Sequence, residues 1–225
     1  MNESMKVLMI VTSHEKIDEQ HRTGLWLEEF AVPYLEFRQA GYDVTVVSIQ
    51  GGATPIDPNS KPTPEQEKAW AEARRELEDT LPLDQVTDPK SYDIVFLPGG
   101  HGTMFDFPNN TALQQILAAA QRDGKIIAAV CHGPAGFVNV KRDDGQPLVA
   151  GKRLTAFTDA EEREVKLDHA MPFLLESTLR EEGGNVTTAS NWADHIEEDG
   201  NLITGQNPQS SRSVARAVIR AKHQG

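Results

Sequence analysis

KIIAAVCHGPAGFV, residues 125–138, contains the only cysteine of the chain. The run KIIAAV is short and continuously apolar, which fits a parallel strand buried on both faces. Cys131 and His132 then make a sharp turn, and GPAGFV is read as the start of a helix. In open parallel sheets ligands bind beyond the carboxyl ends of the strands, so Cys131 stands where chemistry is expected. The amide dipoles of the following helix should favour a thiolate over a thiol. Ala128, Ala129 and Gly133 leave room for the turn and for a substrate. A buried cysteine is otherwise a small core hydrophobe, but this setting is that of a nucleophile elbow with sulfur in place of a hydroxyl.

Working outward, KVLMIVT (6–12), DVTVVSI (43–49) and DIVFLPGG (93–100) are further short apolar runs. Residues 24–39 and 109–122 carry apolar side chains at helical spacing and are followed by Gly41 and Gly124 as stops. Strand and helix alternate, which predicts a doubly wound α/β sheet. NVTTAS (185–190) and NLITG (201–205) add strands, and SSRSVARAVIRAKH (210–223) closes the chain as a helix with a serine cap and a basic last turn. Residues 51–92 break the rhythm with six prolines and many charges. One helix is expected there, from about 63 to 79, with no strand able to join the sheet, so the segment reads as a cap or lid on a single domain spanning 1–225.

A chain of 225 residues with 38% hydrophobic content can bury one substantial core. Its net charge of −12 repels phosphate backbones and acidic membrane surfaces, which argues against nucleic acid or membrane as a partner. One cysteine cannot form an internal disulfide, and MNESMKVLMIVTSHE reads as lacking a leader, so cytoplasm is the expected location.

A sulfur attacking a carbonyl needs donors for the oxygen that becomes negative. LPGGHGTMFD (97–106) follows a strand and offers bare glycine amides. Gly100 and the His132 amide are the best candidates, with Gly99 beside them and His101 lining the pocket. Read as a phosphate loop, GGHGT lacks the lysine and spacing required. The seven histidines form no His-x-x-x-His pair, so no metal is expected. Trp26, Phe30 and Tyr34 lie at i, i+4, i+8 and read as core packing, with Trp26 the one that could touch substrate. His195-Ile-Glu197 is reminiscent of a glutaminase pair, but it reads as a polar strand ahead of NLITG rather than after it.

AAVCHGP, the upstream PGGHGTMFD and the downstream LTAFTDAEE together resemble the DJ-1/PfpI superfamily, in its Hsp31-like branch, also labelled type 1 glutamine amidotransferase-like. The likeness runs from KVLMIVTS to NLITGQNPQSS. It implies a flavodoxin-like three-layer sandwich with a mostly parallel sheet and a small cap, a homodimer, and cofactor-free conversion of methylglyoxal or glyoxal to D-lactate or glycolate, the glyoxalase III or D-lactate dehydratase reaction. By resemblance the nucleophile falls on Cys131, its histidine on His132, the acidic third member on Glu162 with Glu161 as the alternative register, and the buried glutamate facing the sulfur on Glu29. Helical phase also sets Glu29 among apolar groups, and such a carboxylate should hold its proton strongly and work as a proton shuttle. Rival readings are a PfpI-like cysteine peptidase or amidase, a protein deglycase, and a redox sensor or holdase chaperone in stress response, where Cys131 would be oxidised rather than turn over.

Overall fold

A computed structural model describes residues 3–224. The strands are β1 (Lys6–Val11), β2 (Asp43–Ser48), β3 (Leu81–Pro82), β4 (Ile94–Leu97), β5 (Ile126–Val130), β6 (Arg153–Leu154), β7 (Asn185–Val186), β8 (Ile196–Asp199) and β9 (Leu202–Gly205). The helices are α1 (Leu27–Gln39), α2 (Pro64–Ala69), α3 (Ala71–Arg75), α4 (Thr103–Asp106), α5 (Thr111–Arg122), α6 (Asp159–Glu164), α7 (Leu175–Glu181) and α8 (Ser211–His223). Seven strands form one sheet in the order β3-β2-β1-β4-β5-β9-β8. All pairings are parallel except that of β8 with β9.

Alternation along β1 explains the three layers. Val7, Met9 and Val11 face a core with Phe30 and Phe37 of α1 and Val214 and Val218 of α8, while Leu8 and Ile10 face a second core with Leu113 and Leu117 of α5. Both faces are fully buried, so each central strand is apolar throughout, as parallel sheets require. The strand order reverses direction between β1 and β4, and in such sheets the crevice at that point receives ligands. The loops after β1, β4 and β5 meet there. Among the described residues no helix is long and apolar enough to cross a membrane.

Several expectations need correction. The helix predicted over 24–39 begins at Leu27, because residues 24–26 are extended between two neighbours: Leu25 N–H donates to Pro55 O at 2.8 Å and Trp26 N–H to Gly99 O at 3.3 Å. Residues 51–92 do contribute a strand, since β3 pairs in parallel with β2 at the sheet edge. Their single expected helix is two short ones broken at Trp70, whose side chain is buried in the core. This segment also braces the entry to α1, with Asp57 N–H donating to Leu25 O at 2.9 Å and Leu27 N–H to the Ser60 hydroxyl at 3.2 Å. NVTTAS supplies only β7, which pairs with β6 in a separate two-stranded sheet. Ser210 precedes α8 without capping it, its hydroxyl donating instead to His195 O and Asn207 Oδ1.

The helix expected after Cys131 is absent. Gly133–Phe137 form a single five-residue 3-10 turn, after which Val138 is extended. Glycines and a proline propagate an α-helix poorly, and here they serve close packing: a Cβ on Gly133 would lie 2.1 Å from Leu97 O. That oxygen is backbone and cannot swing aside. Gly133→Ala should therefore cost about 2–3 kcal/mol and lower the melting temperature by roughly 5–10 °C, read by thermal denaturation.

Candidate active site

The site grows from a backbone constraint at the end of β5. Cys131 has φ 62°, a left-handed conformation that non-glycine residues adopt at a cost of about 1–3 kcal/mol. Its neighbours pin it there: Cys131 N–H donates to Gly205 O at 2.9 Å, and Phe157 N–H donates to Cys131 O at 2.9 Å. The side chain is turned out of the strand into the crevice but stays buried, with 3% of its surface exposed. Its sulfur is 3.4 Å from His132 Nδ1.

Two carboxyls flank this pair. Glu29, in the first turn of α1, is wholly buried. Its Oε1 accepts the Gly99 amide at 2.8 Å, whereas Oε2 has no partner at hydrogen-bonding geometry and the Cys131 thiol lies against the carboxyl. A side chain on Gly99 would fall 2.6 Å from Glu29 Oε1 and 2.7 Å from the His132 nitrogen, so glycine is what admits both groups. Burial holds the Glu29 carboxyl well above the usual carboxylate range, against weaker opposition from Cys131 and Gly99. Burial also pushes the Cys131 thiol up, and the adjoining Glu29 carboxyl pushes it the same way. Two acids in one dry pocket cannot both ionise readily. The turn after Cys131 is too short to supply the helix dipole expected to favour a thiolate, and desolvation opposes the charge.

On the other side of His132, the Glu162 Oε2 accepts from His132 Nε2 at 2.7 Å, and the Glu162 Oε1 accepts from His101 Nε2 at 2.5 Å. Burial raises the Glu162 carboxyl, but the two histidines outweigh it and hold it at about 2. Burial keeps His132 below its ordinary value. An ionised carboxylate only accepts, so His132 carries its hydrogen on Nε2 and turns the Nδ1 lone pair to the thiol. The imidazole is also wedged by Phe157, with ring centroids 4.3 Å apart.

Glu161 and Glu162 are now distinguished. Thr158 and Glu161 form a capping box at the start of α6, and the second Glu161 oxygen accepts from Trp192 N–H and Asn207 Nδ2. Glu161 therefore secures the helix, and Glu162 one step on reaches the imidazoles. The Thr-x-x-Glu spacing of 158–161 is the sequence signal that resolves this register.

The remaining candidates divide. The Gly100 and His132 amides donate to no group among the described residues, while Thr103 Oγ1 reaches both Gly100 O and His132 O at 2.9 Å and ties the two loops together. The Gly99 amide is taken by Glu29, so it is not available to an oxyanion. His101, expected to line the pocket, directs Nε2 to Glu162. Trp26 is half-buried at the N-terminus of α1, beside Gly99 and Gly100. His101, His132 and Glu162 are the one group among the described residues able to offer three metal-ligand atoms within 4.8 Å of one another. Both Nε2 atoms would have to shed the hydrogen shared with Glu162 before an ion could bind there.

A doubly wound sheet carrying a cysteine on a strained strand-end turn, with a histidine, a carboxylate and a second buried carboxyl around it, defines a class of α/β proteins with a buried cysteine at the strand tip. The chain matches the DJ-1/PfpI family over residues 22–221 and belongs to it. It is similar to glyoxalase 3 of Candida albicans, 32% identical over 96% of this chain and 98% of that protein. The crystal structure of that glyoxalase III superposes with a TM-score of 0.86, covering 96% of this chain and 97% of the other. The glutathione-independent glyoxalase HSP31 of Saccharomyces cerevisiae is 31% identical over 96% of this chain and 97% of its own. The crystallographic structure of APC35852 is 57% identical, with a TM-score of 0.94 over 99% of each chain.

Glu162 also links the site to stability. Its folded-state carboxyl sits below the unfolded value, so its contribution is complete above about pH 4.3 and is lost as pH falls toward 2. Urea unfolding of wild type and Glu162→Gln should show the gap between them narrowing by about 2–3 kcal/mol from about pH 5 to about pH 2.5.

Proposed function

We propose that the protein is a glutathione-independent glyoxalase that converts small 2-oxoaldehydes, methylglyoxal and glyoxal, to the corresponding 2-hydroxy acids. The observation that carries this reading is the wholly buried Glu29 carboxyl, with one oxygen unpartnered, against the sulfur of Cys131. Nucleophilic attack alone needs a sulfur and a base, whereas moving a hydrogen between two adjacent carbons needs a further base beside the sulfur, a task the Glu29 carboxyl is placed to take.

The Cys131 sulfur adds to the aldehyde carbon and its proton passes to His132 Nδ1. The carbonyl oxygen becomes an alkoxide, taken by the Gly100 and His132 amides, and the His132 imidazolium returns its proton to it, giving a hemithioacetal and a neutral imidazole. Glu29, as carboxylate, removes the hydrogen of the former aldehyde carbon, giving an enediol, and returns a proton to the adjacent carbon. The first carbon is thereby oxidised to a thioester while the ketone is reduced to an alcohol, without an external electron carrier. Water, its proton drawn to His132, breaks the C–S bond and releases the 2-hydroxy acid, and the thiol regains its hydrogen. A glutamate whose burial raises its proton affinity both holds and surrenders protons near neutrality, as this shuttle requires.

Accessibility favours small substrates over the rival roles. Cys131 and His132 expose 3% and 1% of their surfaces. So little exposed surface favours a three-carbon aldehyde over a peptide bond or a glycated side chain, which bring more bulk.

Proton NMR of the protein mixed with methylglyoxal and no glutathione should show lactate accumulating. Glu29→Gln preserves shape and should lower that rate by about 10²–10⁴-fold, and Cys131→Ser should abolish it. Lactate formation undiminished in Glu29→Gln would overturn the reading, and hydrolysis of a peptide reporter surviving in that variant would favour a peptidase.

A further inference from the structure

The Glu162 carboxylate has two oxygens and two imidazoles, one on each. A triad requires only the contact with His132. The rings of His101 and His132 lie with centroids 4.1 Å apart, both buried, on loops that Thr103 Oγ1 holds together. We propose that His101 is a positioning residue for the reaction: by donating from Nε2 to Glu162 Oε1 it keeps the Glu162 carboxylate ionised and oriented, and so fixes the tautomer in which His132 Nδ1 receives the Cys131 proton. This deepens the proposed reading of the site and rests on it.

Acceptor chemistry carries the inference. With His101 in place, both oxygens of the buried carboxylate are satisfied and Oε2 can only accept, so the His132 hydrogen stays on Nε2. Without that donor Oε1 becomes a buried charged oxygen with no partner, and the cheapest remedy is a proton. A protonated Glu162 can donate to His132 Nε2, which moves the imidazole hydrogen to Nδ1 and points it at the sulfur. The base would then face its substrate with the wrong atom. The ionisable groups around Glu162 are His101 from the loop after β4, His132 and Cys131 from the turn after β5, Glu161 on its own helix, and Glu29 beyond the sulfur. Glu161 is tied to Thr158, Trp192 and Asn207, and Glu29 to Gly99. That leaves His101 as the side chain that satisfies Oε1.

Three substitutions separate this role from others. His101→Gln can set an amide nitrogen where Nε2 stands, His101→Asn is too short to do so, and His101→Leu removes the donor. Two readouts are taken from about pH 5 to about pH 9, across the imidazole range: turnover of methylglyoxal, and alkylation of Cys131 by iodoacetamide followed by intact mass. The Leu and Asn variants should lose about 10²-fold in kcat with KM held within about twofold, and the acid limb of both profiles should move to higher pH. The Gln variant should recover most of the rate with its acid limb unmoved. Nitrogen-15 NMR of the wild-type protein should find His132 protonated on Nε2 and bare on Nδ1, a readout independent of whether any variant folds. Equal loss in Gln, Asn and Leu without a moved limb would mean a purely structural residue. A raised KM with unchanged kcat would mean a substrate contact. A hydrogen on His132 Nδ1 in the resting wild type would also overturn the proposal. Alkylation and NMR need no substrate, so they decide the role of His101 even if methylglyoxal proves not to be turned over.

Discussion

Everything at the site depends on a single desolvated pocket in which two acids, the Cys131 thiol and the Glu29 carboxyl, face each other without a cation between them. Water would level both to ordinary behaviour, and a lysine or arginine would ionise both. Their seclusion instead makes one negative charge between them the most that the pocket accommodates readily. The left-handed turn at Cys131 aims the sulfur there, and the first turn of α1 delivers the carboxyl. The fold supplies these two positions from distant parts of the chain by placing the ends of β4 and β5 and the start of α1 around one crevice.

His132 works under a different regime. Its hydrogen-bond partner is a carboxylate that two histidines hold toward its ionised form, which favours a hydrogen on Nε2 and leaves Nδ1 toward the thiol. The site thus contains one carboxyl biased toward its acid and one held toward its base, with the Cys131 thiol and the His132 imidazole linking them. Environments that push like groups in opposite directions are how a single fold assigns acid and base tasks at one pH.

Much of this was legible in the sequence. β1, β4 and β5 announce themselves as apolar runs because both faces of the sheet are buried around them, and Cys131 stands out as a polarizable group at the tip of one of them. Glu29 is legible as an acid among apolar neighbours at helical spacing. What the sequence hides depends on packing between distant segments. Residues 24–26 have helical periodicity, yet pairing with residues 55–57 and with Gly99 draws them out straight. Residues 81–82 are too few to register as a strand, and only the exposed edge of β2 makes them one. The second histidine on Glu162 could not be read from spacing, because 61 residues separate His101 from it. The helix expected after Cys131 was misjudged because a Gly-Pro start promised one, while the glycines and proline of residues 133–137 propagate an α-helix poorly and close up as a 3-10 turn.

The two margins of the sheet bear on the protein's behaviour at high concentration. An unpaired strand margin with free amides is a template on which other chains can polymerise. At one flank the last strand is two residues long and terminates in Pro82, which has no amide hydrogen to offer. At the opposite flank β8 is overlaid by β6, where the Arg153 amide donates to Asp199 at 2.8 Å and its guanidinium pairs with Glu197 at 2.6 Å. The protein thus combines a strongly apolar interior with terminal ribbons ill-suited to cross-chain pairing, a safeguard against fibrillation that owes nothing to the catalytic machinery.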